Sequence, residues 1–486
     1  MAHGIYYVND YSGTDFAKIS AAIYDAHIAG GGTVALSNRT YTISQSIVLY
    51  SNIVFSGVGT SSNIRCTADV PIIQINRGNN DSSYIEIRDM AMTYASMTTT
   101  NSFHVEADRP IGLRIYGVFF YAVNRLYSGV LTWDATKGRT TPISASSEYS
   151  AFMTHIENCV FSSGSIWLND SDSRIINNYI WANEDPNSLQ YAIRLSNGSI
   201  NISGNDIVPG NHSGVYLASS CASVRIENNY FDGSWDDQRK KNVQTGWGIY
   251  VEGTMQCIIL GNTFSNIYRG GIKATNPFQL NISHNHFLEL NRSGDPSTCY
   301  DVKIDGSSVL PSVGNIVEGN CHKREINGTK SYAVHIGNCA TATVVNNSLI
   351  DWISGGSYHN PPFVVPVGKY SIRKDNQVTV FNVGTYPYQF DEGQVVVQHS
   401  ALPQSVNILF AQDFTAQNIV PRIQDIHVNF IGSSATSAVV FSIHSVTALG
   451  FSIALRPVCL QQIVDDEPVC FNSTTDGFFF WRVSLQ

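Results

Sequence analysis

The stretch VRIENNYFDGSW, from Val224 to Trp235, returns along the chain in altered copies, among them MTHIENCVFSSGS from Met153 and LNISHNHFLEL from Leu280. Each copy sets an apolar residue, two polar residues, a slot that is nearly always Asn, one variable residue, and a second apolar residue. The slots are Cys159, Asn178, Asn205, Asn229, Asn262, Asn285, Asn320 and Asn347, 19 to 35 residues apart. Three positions before them stand Ile156, Ile175, Ile202, Ile226, Ile259, Ile282, Val317 and Val344. Two positions after them stand Phe161, Ile180, Ile207, Phe231, Phe264, Phe287, His322 and Leu349. Self-similarity at such a period marks a solenoid, in which each unit buries its apolar face on its neighbours. Alternation with period two makes the unit a strand rather than a helix. A second strand lies between slots: SIWLN, AIRLS, GVYLA, GIYVE, GIKAT, DVKID, AVHIG. Three short strands per coil with Asn at a bend predict a right-handed parallel β-helix. Its stacked Asn side chains bond one another and the turn backbone from coil to coil. The Leu-x-x-Leu-x-Leu pattern of leucine-rich repeats is absent.

Upstream, TYTISQSIVLYSNIVFSGVG, PIIQIN, YIEIRDMAMTY, SFHVEA and GLRIYGVFF read as earlier, less regular coils. Before them, TDFAKISAAIYDAHIAGGGTVAL predicts an amphipathic helix with Ile19, Ile23 and Ala22 or Ala26 on one face, stopped by its glycines. Such a helix caps the open end of a solenoid core. After about Lys374 the repeat gives way to longer alternating segments such as SAVVFSIHSV and FFFWRVSL, which predict an antiparallel β-sandwich. The expected organisation is an N-terminal segment and capping helix at 1–32 and a β-helix at 33–360. A Pro-rich linker at 361–374 and a C-terminal sandwich at 375–486 complete it.

Charged residues make up 14% of the 486-residue chain, against roughly 25% in typical soluble domains. Asn, Ser, Thr and Gly replace them, which suits turns and strands. The formal net charge of −9 and the lack of a basic run argue against a nucleic-acid partner. No apolar run approaches the ~18 residues of a membrane span. The N-terminus, MAHGIYYVNDYSG, lacks the charged and apolar regions of a signal peptide. The nine cysteines are odd in number, scattered, and free of any CxxC pair, so neither a disulfide framework nor a metal site is expected. They read as buried thiols of a protein made in a reducing cytoplasm. No cofactor is expected.

The stretch from Asp15 to Ser44, DFAKISAAIYDAHIAGGGTVALSNRTYTIS, resembles the start of the pectate-lyase-like β-helix, in the version used by bacteriophage tailspikes and capsule depolymerases. The resemblance implies a homotrimer of side-by-side β-helices that binds and cleaves a bacterial surface polysaccharide: capsule, exopolysaccharide or O-antigen. It further implies a virion component, made in the host cytoplasm and docked to a phage tail or baseplate protein through its N-terminus. The hallmarks of polygalacturonases, an NTDG-like stretch, GHG and RIK, are absent, and WDDQRK at Trp235 is the only imitation of a pectate-lyase acid cluster.

In the second strand of each coil, the residue between two inward apolar residues points out. Read down the coils, that column is His104, Trp167, Arg194, Tyr216, Tyr250, Lys273, Lys303 and His335. Aromatic faces stack on sugar rings, and Arg and Lys pair with acidic substituents, so the column predicts a groove for an oligosaccharide. A trimer interface is the competing reading, because it enriches the same residues. Two residues further on, Glu252 and Asp305 are the carboxylates of the next outward column, with the coil of Thr275 between them. At about 4.8 Å per coil their backbones lie roughly 9.6 Å apart. That separation suits an inverting glycosidase better than a retaining one, with Tyr250 shielding Glu252. Competing acids lie in long insertions: Asp232, Asp236 and Asp237 beside Trp235 and Trp247, and Glu289. The alternatives to hydrolysis are β-elimination, with Tyr250, Lys273, Lys303 or His335 as base, and glycan adhesion without cutting.

Overall fold

The computed structural model describes residues 4–350 apart from 76–82, 96–101, 123–127, 134–150, 183–190, 211, 234–245, 289, 291–299, 308–311, 324–331 and 338–339; beyond 350 it describes the backbone of the strands alone. The described part is a stack of coils, each with three parallel walls. The first wall precedes the slot, as in Arg225–Glu227, Ile258–Leu260 and Asn281–Ser283. The second follows it, as in Tyr230–Asp232, Thr263–Ser265 and His286–Leu288. The third, built from strands such as Val215–Leu217, Trp247–Glu252, Gly270–Thr275 and Tyr300–Asp305, comprises twelve strands among the described residues.

The bend between the first two walls shows why the slot is Asn. From Asn205 to Asn347, each Oδ1 accepts both the backbone N–H and the side-chain Nδ2 of the slot residue one coil earlier, at 2.9–3.0 Å. Each Nδ2 also donates to an inner-turn carbonyl, as Asn229 does to Ile202 O at 3.0 Å. Asn is suited to this because it offers two donors and an acceptor in one plane. The ladder ends upward at Cys159, whose N–H donates to Asn178 Oδ1 at 2.9 Å and whose thiol is pushed up to about 12 by burial. The residue before each slot bends left-handed, with φ of 55° at Asn177 and Asn228 and 66° at Gly204. Asn and Gly tolerate that region best.

Inside the second wall the rings of Phe231, Phe264 and Phe287 stack 4.7 and 5.0 Å apart. Each ring lies against a third-wall glycine, Gly214, Gly248 or Gly271. A Cβ on Gly248 or Gly271 would come within 2.6 Å of the facing ring. One coil further the pattern changes on both sides at once. Asp301 replaces the glycine and His322 replaces the phenylalanine. Nδ1 of the buried His322 then bonds Oδ2 of the buried Asp301 at 2.9 Å. Burial holds the Asp301 carboxyl above its usual range, and His322 offsets part of that.

The helix spans Asp15–Ile28, with Thr14 capping Ala17 N and with Ile19, Ala22, Ile23 and Ala26 buried on the first coils. It is not the first element. Strand Gly4–Tyr7 precedes it and pairs in parallel with Gly32–Ala35. The parallel stacking also outlasts its expected end. Phe363–Val364, Ile372–Lys374 and Gln377–Val380 pair with the three walls of the preceding coil, so the expected linker supplies strands of one more coil. Pairing turns antiparallel at Gly384–Pro387. Beyond it come two three-stranded antiparallel sheets and a hairpin, the pairing expected of a C-terminal β-sandwich. Among the described residues no helix is long and apolar enough to cross a membrane, and no group of three metal-ligating side chains gathers.

Candidate functional site

The third wall sets outward residues in register coil by coil. The column runs Gln74, Glu106, Leu131, Trp167, Arg194, Tyr216, Tyr250, Lys273, Lys303, His335. Its upstream end corrects the sequence reading. Glu106, not His104, occupies the column, and the coil of Gly129–Trp133 intervenes unannounced because it lacks the Asn slot. His104 is buried, taking the Gly129 N–H on Nδ1 and contacting Tyr121 O through Nε2. Trp167 is only 4% exposed. It packs with Phe103 and Leu131, and the Arg194 guanidinium lies 4.9 Å from its ring. Its face is therefore already covered, and it does not offer the stacking surface expected. Trp247 is likewise buried, lying over Gly270 to stack on Tyr300.

What remains open is the strip from Arg194 to His335, five steps of about 4.8 Å or roughly 24 Å long. Tyr191 stacks on Tyr216 at 4.7 Å, and Tyr216 meets Tyr250 edge-on at 5.6 Å. Lys273 Nζ lies 4.9 Å from the centre of the Tyr250 ring, and Lys303 Nζ the same distance from Tyr300. Tyr300 also touches His335 at 5.1 Å. Burial and the neighbouring Lys303 charge hold the Lys273 ammonium below its usual range, and the same two causes lower His335. Sequence reasoning missed Tyr191 and Tyr300. Both stand three positions before a column residue, as Trp247 does, and that recurrence was the available signal.

Glu252 pairs in register with Thr275, and Thr275 with Asp305, so one coil separates the two acids. The tyrosine that serves Glu252 is Tyr216, not Tyr250. The Tyr216 hydroxyl donates a hydrogen bond to Glu252 Oε2 from the coil on the side away from Asp305. Burial and that carboxylate hold the Tyr216 hydroxyl well above its ordinary range. Asp305 receives Lys303 Nζ at 3.4 Å, and its Oδ1 lies over Gly337, where a Cβ would be 2.7 Å away. Glu252 is thus engaged on the side away from Asp305, while Asp305 is held by a lysine of its own strand.

Asp232 lies on another wall. It ends the second-wall strand Tyr230–Asp232 and takes Asn266 Nδ2 at 3.3 Å. Beside it, Tyr179, Asp206 and Tyr230 form a column of their own, and burial with the Asp232 charge raises the Asp206 carboxyl. Trp235, Asp236, Asp237 and Glu289 lie outside the described residues.

A family model described as right handed beta helix region matches residues 135–241 and 164–349. No curated protein matches the sequence. Among solved structures, the chain is similar to the Dettilon tailspike protein (14% identity, 98% of this chain and 93% of that one, TM-score 0.48). It is also similar to gene product 12 of bacteriophage phi29 (14%, 80% and 58%, 0.48). A third is the A-module of mannuronan C-5 epimerase AlgE6 from Azotobacter vinelandii (15%, 71% and 99%, 0.42). Three parallel walls, an asparagine-lined bend and the matching family model together make this chain a right-handed parallel β-helix protein.

Proposed function

We propose that the third-wall strip from Arg194 to His335 binds a bacterial surface polysaccharide and that the protein depolymerises it as a phage tailspike. One observation carries the reading: successive coils present aromatic and cationic side chains in register where a water-facing wall needs only small polar ones. Aromatic faces accept the C–H faces of sugar rings, and the cations fix polar substituents. In this reading three copies assemble side by side, and the N-terminal end docks to a tail or baseplate protein.

The chemistry is assigned to Glu252 and Asp305 as an inverting pair, one protonating the leaving oxygen and the other activating water. Such pairs work roughly 6.5–9.5 Å apart. Backbones two coils apart start at about 9.6 Å. Bound sugar must therefore draw the two carboxyls inward. The test is release of reducing ends from a panel of capsules, exopolysaccharides and O-antigens. Glu252→Gln and Asp305→Asn should each abolish release while binding persists. Full activity in both variants would move the chemistry elsewhere, the Asp206–Asp232 wall being the next place to look.

A second reading, β-elimination, is favoured by Lys273. A lysine held below its usual range by burial and a neighbouring ammonium is a better base than a solvated one. Elimination leaves a conjugated double bond whose ultraviolet absorbance hydrolysis does not produce. Binding with unchanged polymer size would make the protein an adhesin.

A further inference from the structure

The strip divides into two halves of different chemistry. Its upstream half, Tyr191, Tyr216 and Tyr250, offers rings and one guanidinium. Its downstream half offers three basic side chains in adjacent register, Lys273, Lys303 and His335. Lys303 has a carboxylate partner in Asp305. Lys273 forms no ion pair among the described residues, although it is half-buried and stands one strand from a second ammonium. Arg269 adds to the repulsion, and Glu252 and Asp305 offset part of it. Two lysines on adjacent coils, partly removed from water, hold like charges at an energetic cost that an anion placed between them would relieve.

The sides of this cationic slot narrow the anion. Tyr250 and Tyr300 present rings beneath the two ammonium groups. A sugar ring seated beside Tyr250 would carry a substituent to the Nζ atoms. A carboxylate has two acceptor oxygens, one for each ammonium, and a single charge. With Asp305 already answering one positive charge, a single charge is what the slot lacks.

Building on the proposed glycan groove, we propose that its polysaccharide is acidic and that Lys273 and Lys303 clasp a sugar carboxylate, borne by a uronic acid or by a pyruvyl ketal. The experiment measures binding to immobilised bacterial polysaccharides in three forms: native, carboxyl-reduced, and treated with mild acid to strip ketals. Wild type is compared with Lys273→Met, Lys303→Met and Tyr250→Ala. An acidic polymer should be bound, and carboxyl reduction or Lys273→Met should each weaken it about tenfold or more, the scale of one charged hydrogen bond. The two losses should not add. Loss on mild acid assigns the carboxylate to a ketal, and retention assigns it to a uronic acid. Undiminished binding of the reduced polymer, still abolished by Tyr250→Ala, would overturn the acidic assignment and leave the groove standing. Failure to bind any polymer, with Lys273→Met altering the oligomeric state instead, would overturn both and give the column to an interface between copies.

Discussion

Removing one rung of the asparagine ladder tests the fold most sharply. Asn229 accepts the Asn205 N–H and Nδ2 on its Oδ1, both at 2.9 Å. It donates through Nδ2 to Ile202 O at 3.0 Å, Glu227 O at 3.1 Å and Asn262 Oδ1 at 2.9 Å. Asn229→Ala strands the buried Asn205 N–H, which costs about 1–3 kcal/mol, and removes two bonds to carbonyls at about 1 kcal/mol each. The neighbouring amides keep other partners: Asn205 Nδ2 retains Ile175 O, and Asn262 Oδ1 retains Asn229 N. The sum is about 3–5 kcal/mol, concentrated at one bend. Hydrogen exchange followed by mass spectrometry should show peptides around Asn205 and Asn229 opening roughly 10²–10⁴-fold more often, with distant coils much less affected. A change under about 1 kcal/mol, or an effect spread evenly over the stack, would mean that the amides decorate the bend rather than hold it.

Other variants probe the interior and the site. Asp170 is fully buried beside the hydroxyls of Thr132, Thr154 and Ser173, and burial pushes it from 3.8 up to about 7. A carboxyl raised above its unfolded value contributes stability below pH ~4 that is lost as pH rises through ~7, about 4 kcal/mol over three pH units. Asp170→Asn should therefore match wild type in urea midpoint near pH 4 and exceed it near pH 8; parallel pH curves would refute this. Asp301→Gly and His322→Phe should each destabilise by about 3–5 kcal/mol, while the double variant, which rebuilds the Gly271–Phe287 packing, should recover most of the loss. Additive losses in that cycle would deny the coupling. Tyr216→Phe keeps the stack on Tyr191 but frees Glu252, and should slow depolymerisation about tenfold or more with binding little changed. An unaltered rate would take Glu252 out of the chemistry.

The fold was legible because the core writes the repeat. Ile226, Asn229 and Phe231 face inward, where each coil presents the same demand as the last. The outward side obeys no such demand. Arg194 comes from the coil after Trp167 and Phe103 from two coils before it, so the cover on that indole depends on stacking that no local pattern records. The upstream register slipped by two residues because the coils of Glu86–Tyr94 and Arg114–Tyr121 carry Met90 and Val118 where later coils carry the slot Asn. The bond from Tyr216 to Glu252 crosses both coil and column, so neighbouring letters pointed to Tyr250 instead.

The amide ladder joins coils 23 residues apart and coils 35 residues apart with the same 2.9 Å bond. It is indifferent to the length of chain between its members. The length of chain between two rungs can therefore change without altering the bonds that join the coils.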